Sequence, residues 1–329
     1  MRRIIDSIFG WILATVVVFE ILYIFYGLVF YPTSIFKFGS LPLFLLAPLP
    51  NPIILLTFIS GVALLAYILS VSVIVSASAS YSFFGCSECR RGLARLMGVI
   101  AAFSMLEAVI RLFFERFPNP MEGMETWKIW MYLLNASFYE EVVSRVLLIG
   151  VPVALLSIRD RGWYKLILGK IPKDRRGPLL WIFVAISSIT FGYAHVPGWG
   201  LLKLISAIPA GVALSLAFVY YGIWASIALH FAVDFMSAMM TGPHGSIFTI
   251  PFGILLVAFA GYGIYVILAS LVSRLGKPKA ARRRVVRVRA CPSCGGVRFL
   301  YLGEGLYRCL DCGMVLREED LVIKEIVVE

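Results

Sequence analysis

Phe138-Tyr139-Glu140-Glu141-Val142-Val143-Ser144-Arg145 lies inside an apolar run, residues 127–158, that is long enough to cross a membrane. Hydrocarbon cannot solvate ionised side chains, and each costs on the order of 3 kcal/mol at a bilayer centre. Two adjacent carboxylates and an arginine in such a run imply a helix that faces other helices around a polar interior. Glu141 and Arg145 are one turn apart and share a face. Glu140 falls about 100° round the helix, on the neighbouring face. The spacing predicts that Arg145 neutralises Glu141 internally and leaves Glu140 for a cavity, where a carboxylate can serve as general base for water. The blander reading is that both glutamates pair with arginines and lock helices together.

The rest of the chain supplies the membrane. Its 329 residues are 60% hydrophobic and 15% charged, with mean hydropathy +0.89, more apolar surface than a soluble domain of this length can bury. The class expected is an all-α polytopic membrane protein. Spanning runs are 8–31, 52–80, 93–116, 127–158, 179–196, 202–221, 222–240 and 250–273, eight in all, with 8–31 read as a signal anchor. Pro42, Pro48, Pro50 and Pro52 break the run 41–52, which reads as a loop or re-entrant stretch. The run 127–158 is roughly 48 Å long as a helix, against about 30 Å of hydrocarbon, so it must tilt, bend or project into water. The formal charge of +11 gathers in Arg2 and Arg3, in Arg90, Arg91 and Arg95, in the loop 159–177, and in the tail after Ser273. With eight helices these segments share one side, which places both termini in the cytoplasm. Such a bias reports topology and lipid contact, and nucleic acid is the weaker inference.

Two more polar patterns sit in apolar runs, Phe191-x3-His195 and His230-x3-Asp234, and they use two of the chain's three histidines. His230 and Asp234 are one turn apart and can address one point, as two metal ligands, as a histidine oriented by an aspartate, or as a plain helix hydrogen bond. His195 is expected to end its helix before Pro197-Gly198. Taken singly these histidines read as satisfied core residues; all three patterns on separate helices read as one site. Glu-Glu-x3-Arg, Phe-x3-His and His-x3-Asn/Asp in this order resemble the CPBP family, the CaaX prenyl endopeptidases and bacteriocin-processing or self-immunity proteins, over roughly residues 90–275. The resemblance implies an eight-helix bundle around a polar cavity. It implies Glu140 as the base, His195 assisting it, and His230 with Asp234 stabilising the oxyanion or binding a metal, with Glu141 and Arg145 in support. The chain departs from the CaaX branch at Asp234, where that branch prefers Asn, and at Val146, where many members carry Gly. An ionised Asp234 accepts but cannot donate to an oxyanion. A divalent ion on His195, His230 and a carboxylate is the metal-dependent variant of this reading.

After Ser273 the composition changes. Residues 274–290 read as a basic juxtamembrane linker, and residues 291–329 as a small β zinc ribbon. Cys291-x2-Cys294-Gly295 and Cys309-x2-Cys312-Gly313 have the spacing with which four thiolates hold one structural zinc, with short strands around Gly303-Glu304-Gly305. Cys86-x2-Cys89 lacks a second pair and reads as isolated loop cysteines. Glu107 and Arg111 read as a buried ion pair, and His244 as a bystander in an outer loop. The function expected is an intramembrane endopeptidase acting on a peptide or protein substrate, prenylated in the CaaX case, among membrane lipids. The alternative is a non-catalytic scaffold or immunity protein whose ribbon recruits a cytoplasmic partner.

Overall fold

The computed structural model describes residues 2–44, 55–114, 121, 123–241, 245–275 and 284–328, and the chain divides into two compact units, Met1–Leu268 and Ala269–Glu329. The first unit is built from helices α1 (Arg2–Phe30), α2 (Pro32–Lys37), α3 (Gly61–Ser80), α4 (Ser87–Phe114), α5 (Thr126–Glu141), α6 (Val151–Leu156), α7 (Pro178–Trp199), α8 (Leu204–Tyr221), α9 (Ile223–Thr241) and α10 (Gly245–Leu275). Between α2 and α3, β1 (Leu41–Phe44) pairs antiparallel with β2 (Leu55–Ile59). The expected span 52–80 therefore loses its first part to a strand, and its helix starts only at Gly61, whose φ of 55° suits glycine. Of the stretch read as a loop or re-entrant segment, Leu41–Phe44 is the first of these strands and residues 45–52 lie outside the described residues, as does His244.

Among the described residues seven helices are long and apolar enough to cross a membrane. The eighth expected span is the exception. Residues 126–156 form α5, a π-helical stretch Val142–Gly150, and α6 without interruption, and they carry Lys128, Glu140, Glu141 and Arg145. A π stretch shifts the backbone ladder from i→i−4 to i→i−5 and recurs at functional sites. Here it begins directly after the two glutamates. Outward side chains such as Leu112, Phe113 and Phe114 are three-quarters exposed, as lipid-facing positions are, while Leu13, Val17, Leu93 and Leu229 fill the interior.

Helices come closest where glycine permits it. A Cβ on Gly263 of α10 would lie 2.0 Å from the Gly98 carbonyl oxygen of α4, whereas one on Gly261 meets nothing within 4 Å. Small residues of this kind let membrane helices approach until backbones touch. Gly263→Leu is expected to lower the melting temperature in detergent by about 5 °C, from an overpacking cost of about 1–3 kcal/mol, and Gly261→Leu to leave it unchanged. Equal melting of the two variants would show that this crossing does not hold the bundle together.

Polar contacts gather the basic segments at one end of this bundle. Buried Asp6 of α1 accepts hydrogen bonds from Arg95 of α4 and from the Tyr262 hydroxyl of α10, the latter at 2.6 Å. The Arg90 guanidinium lies 3.7 Å over the Trp11 ring. The loop 159–177 docks on the end of α8, where Lys170 and Ile171 donate backbone N–H groups to the carbonyls of Phe218 and Val219 at 2.9 and 2.8 Å. Gly222, at φ 93°, makes the tight turn from α8 into α9. Cys86 and Cys89 at the start of α4, expected as isolated thiols, are joined as a disulfide.

In the second unit β3 (Arg284–Ala290) pairs antiparallel with β7 (Val322–Val328), and β4 (Phe299–Gly303), β5 (Leu306–Cys309) and β6 (Val315–Arg317) form a separate three-stranded sheet. The segment read as a linker is thus a strand from Arg284 onward. Val286-Arg287-Val288-Arg289-Ala290 alternates apolar and charged residues with the period of two that a strand requires, a pattern masked by its net charge.

Candidate active site

Four elements converge on one polar cluster. Glu140 and Glu141 end α5, Arg145 lies on the π stretch, His195 is on α7, and His230 and Asp234 are on α9. α7 does not stop at His195 as expected. It continues through Pro197 to Trp199 and ends at Gly200, φ 76°. Proline removes one backbone donor, and the helix carries on around it. Arg111 of α4 donates to the Trp199 carbonyl at 2.8 Å while pairing with Glu107 at 2.7 Å, so the expected buried ion pair also fastens the end of α7.

The two glutamates have different surroundings. Glu141 is completely buried; Arg145 Nε lies 3.3 Å from its Oε2, His230 Nδ1 lies 2.9 Å from its Oε1, and the Ser226 hydroxyl donates to its Oε2. Glu140 is a third exposed, and its Oε2 stands 3.9 Å from His195 Nε2 and 3.9 Å from His230 Nε2. Those distances exceed a direct hydrogen bond and match the reach of one bridging atom. Asp234 Oδ2 is 3.5 Å from the same His230 Nε2.

Partners of the far nitrogens fix both imidazoles. His195 Nδ1 is 2.8 Å from the Phe191 carbonyl, which only accepts, so Nδ1 carries hydrogen and a neutral His195 turns a lone pair on Nε2 toward Glu140. His230 Nδ1–H is committed in the same way to Glu141. A neutral His230 then has no Nε2–H, and it can donate from Nε2 only as an imidazolium. Phe191 explains the Phe-x3-His spacing. Its ring packs 4.7 Å from the His195 ring, 5.6 Å from the His230 ring and 4.8 Å from the Arg145 guanidinium, walling the cluster on one side.

Two serine hydroxyls complete the supporting layer, and the motifs did not single them out. Ser226, four residues before His230, also lies with its hydroxyl oxygen 2.9 Å from the Leu214 carbonyl. Arg145 Nη1 donates to the Ser187 hydroxyl at 3.0 Å, and Ser187 donates to the Ser144 carbonyl at 2.6 Å. The run Ser226-x3-His230-x3-Asp234 was legible as one face of a helix, but a serine in an apolar helix bonds its own backbone often enough to carry no signal.

In the second unit the four ribbon thiols lie within 4.8 Å of one another. Cys291 and Cys312 sulfurs are 3.8 Å apart, and Cys294 and Cys309 sulfurs 3.6 Å. A tetrahedron with metal–sulfur bonds of about 2.3 Å has edges of about 3.8 Å, close to these two separations, so the set could hold one ion. Each knuckle repeats one pattern: Gly295 N–H to Cys291 O and Gly313 N–H to Cys309 O, both 2.8 Å, with φ of 68° and 77° at the two glycines. Backbone N–H groups of Cys294 and Ser293 pull the Cys291 thiol down to about 7, while the neighbouring thiols push Cys294 up to about 12 and Cys312 upward. The four-cysteine cluster and its strands fit a zinc ribbon.

No curated protein and no solved structure matches the chain. A family model does, in agreement with the resemblance carried by the three motifs, and it supports a CAAX-type intramembrane protease. Residues 122–236, the segment that holds Glu140, Glu141, Arg145, His195, His230 and Asp234, match the model described as type II CAAX prenyl endopeptidase Rce1-like.

Proposed function

We propose that the chain is an intramembrane endopeptidase in which Glu140 activates water against a peptide carbonyl. The observation that carries this reading is the placement of Glu140 Oε2 at 3.9 Å from both Nε2 atoms, beside a second glutamate wholly consumed by Arg145, His230 and Ser226. A water held there gives one proton to Glu140 and hydrogen-bonds the Nε2 lone pair of His195. Its oxygen bonds the carbonyl carbon, and the developing oxyanion accepts from the imidazolium Nε2–H of His230, whose ring Asp234 and Glu141 hold in place. Glu140 then passes its proton to the leaving amine nitrogen as the C–N bond breaks. Asp234 acts here through His230, which accounts for an acceptor where the CaaX branch carries an amide.

The end of the bundle that gathers the basic segments is read as cytoplasmic, with both termini on that side. The ribbon is read as holding structural zinc on Cys291, Cys294, Cys309 and Cys312; four thiolates fill the shell and leave no open position. A divalent ion on His195, His230 and a carboxylate is the metal-dependent variant of the same reading. Elemental analysis of the purified chain is expected to give one zinc per chain, and none in Cys291→Ser/Cys309→Ser. One ion remaining in that variant would assign a metal to the intramembrane site.

The substrate class is tested by mass-spectrometric cleavage of matched prenylated and unprenylated CaaX peptides with the purified full chain. Cleavage of the prenylated peptide alone is expected. Equal cleavage of both removes lipid recognition, and cleavage of neither removes the CaaX-type substrate.

A further inference from the structure

A cavity of about 850 Å³ opens at the basic end of the bundle, and none of the six residues of the candidate active site lines it. Its walls include the ends of four helices. Tyr81 follows α3, Ser157 follows α6, and Tyr221 and Trp224 flank the turn between α8 and α9. Its remaining wall is the loop 159–177. Helix ends with tyrosine and tryptophan around them mark the boundary between hydrocarbon and headgroups.

The loop is held in place. Besides the Lys170 and Ile171 hydrogen bonds to α8, Arg176 Nε donates to the Ile171 carbonyl at 2.8 Å, and its guanidinium lies 4.4 Å over the Tyr220 ring. Lys170 keeps a left-handed φ of 53°, a conformation a lysine adopts only when its surroundings hold it.

Charge at the cavity is unbalanced. The charged residues that line it are Arg161, Lys165, Lys170 and Arg175 against Asp160 and Asp174. Both carboxylates pair with Arg175. That leaves Arg161, Lys165 and Lys170, all lining the cavity, with no carboxylate partner among the described residues. Aromatic and apolar walls from Trp163, Trp224 and Leu168 stand beside these three cations.

We propose that this cavity holds one anionic glycerophospholipid, its phosphate on Arg161, Lys165 and Lys170 and the upper part of its acyl chains against Trp163 and Trp224. A soluble anion would use the cations and leave the apolar walls uncovered; a neutral lipid would do the reverse. The proposal does not depend on the proteolytic reading.

The test titrates the detergent-purified full chain with phosphatidylglycerol and with phosphatidylcholine of the same acyl chains, followed by native mass spectrometry. Wild type is expected to retain one phosphatidylglycerol per chain and no phosphatidylcholine. Arg161→Gln/Lys165→Gln/Lys170→Gln is expected to bind about 100-fold more weakly, since each basic residue near an anionic headgroup is worth roughly fivefold. Those three side chains are exposed, so the triple variant should melt with wild type, and Trp163→Ala gives an independent loss of about tenfold from the acyl side. Arg282→Gln/Arg283→Gln, in the basic stretch after α10, should bind as wild type does. Wild-type affinity in the triple variant, equal retention of phosphatidylcholine, loss of binding in the 282/283 variant, or displacement of the lipid by millimolar inorganic phosphate would each overturn the proposal.

Discussion

Replacing Glu140 with alanine is expected to lower the rate of peptide cleavage by about 10³-fold or more while leaving the melting temperature within about 1 °C of wild type. The two halves of this expectation have separate origins. Glu140 is a third exposed and stands 3.9 Å from its nearest histidine nitrogens, so the folded state leans on it little. Its carboxylate is nonetheless the group at the cluster that is both basic and uncommitted, because Glu141 is spent on Arg145, His230 and Ser226. Glu140→Gln should lose as much as Glu140→Ala, since the amide keeps the shape and loses the basicity. His195→Ala should lose less, about 10²-fold, as a residue that orients water and does not deprotonate it. Cleavage by Glu140→Gln at more than about a tenth of the wild-type rate would remove Glu140 as the base. Equal losses at Glu140 and His195 would point to a shared ligand.

Much of this site was legible because helix geometry is regular. Residues four apart on one helix must share a face, so the Glu141–Arg145 and His230–Asp234 proximities follow from spacing alone. The separation of Glu140 from Glu141 follows from the roughly 100° step of an α-helix, even though the backbone widens into a π stretch one residue later. What spacing cannot give is contact between helices. The bond from His230 to Glu141, which decides the tautomer of His230 and so its chemistry, joins residues 89 apart in sequence. The helix limits failed where a residue plays against type. Pro197 is carried inside α7, and the apolar residues 55–59 pair as a strand although they head a run long enough to span. The ribbon was legible for the opposite reason: four cysteines at two-residue gaps leave few other arrangements, whereas the strand Arg284–Ala290 was hidden by its own charge.

Arg145→Ala should be the most damaging single change in the helical unit, lowering the melting temperature by about 10 °C. Arg145 and Glu141 are both fully buried, and removing one member of a buried pair strands the other, at about 3–5 kcal/mol. The loss also removes the donor to the Ser187 hydroxyl and uncovers one side of Phe191. The double variant Glu141→Gln/Arg145→Met separates fold from chemistry. Its glutamine can still accept from His230 Nδ1–H and from Ser226, and methionine fills the space of the arginine stem, so at least half of the lost stability should return. Cleavage should not return. In the proposed mechanism cleavage needs the Glu141 carboxylate beside the His230 imidazolium, and an amide that keeps the hydrogen bond supplies no charge there. Recovery of both stability and cleavage would show that the Glu141 charge serves only the fold. Failure to recover stability would show that the Ser187 and Phe191 contacts, more than charge balance, are what Arg145 contributes.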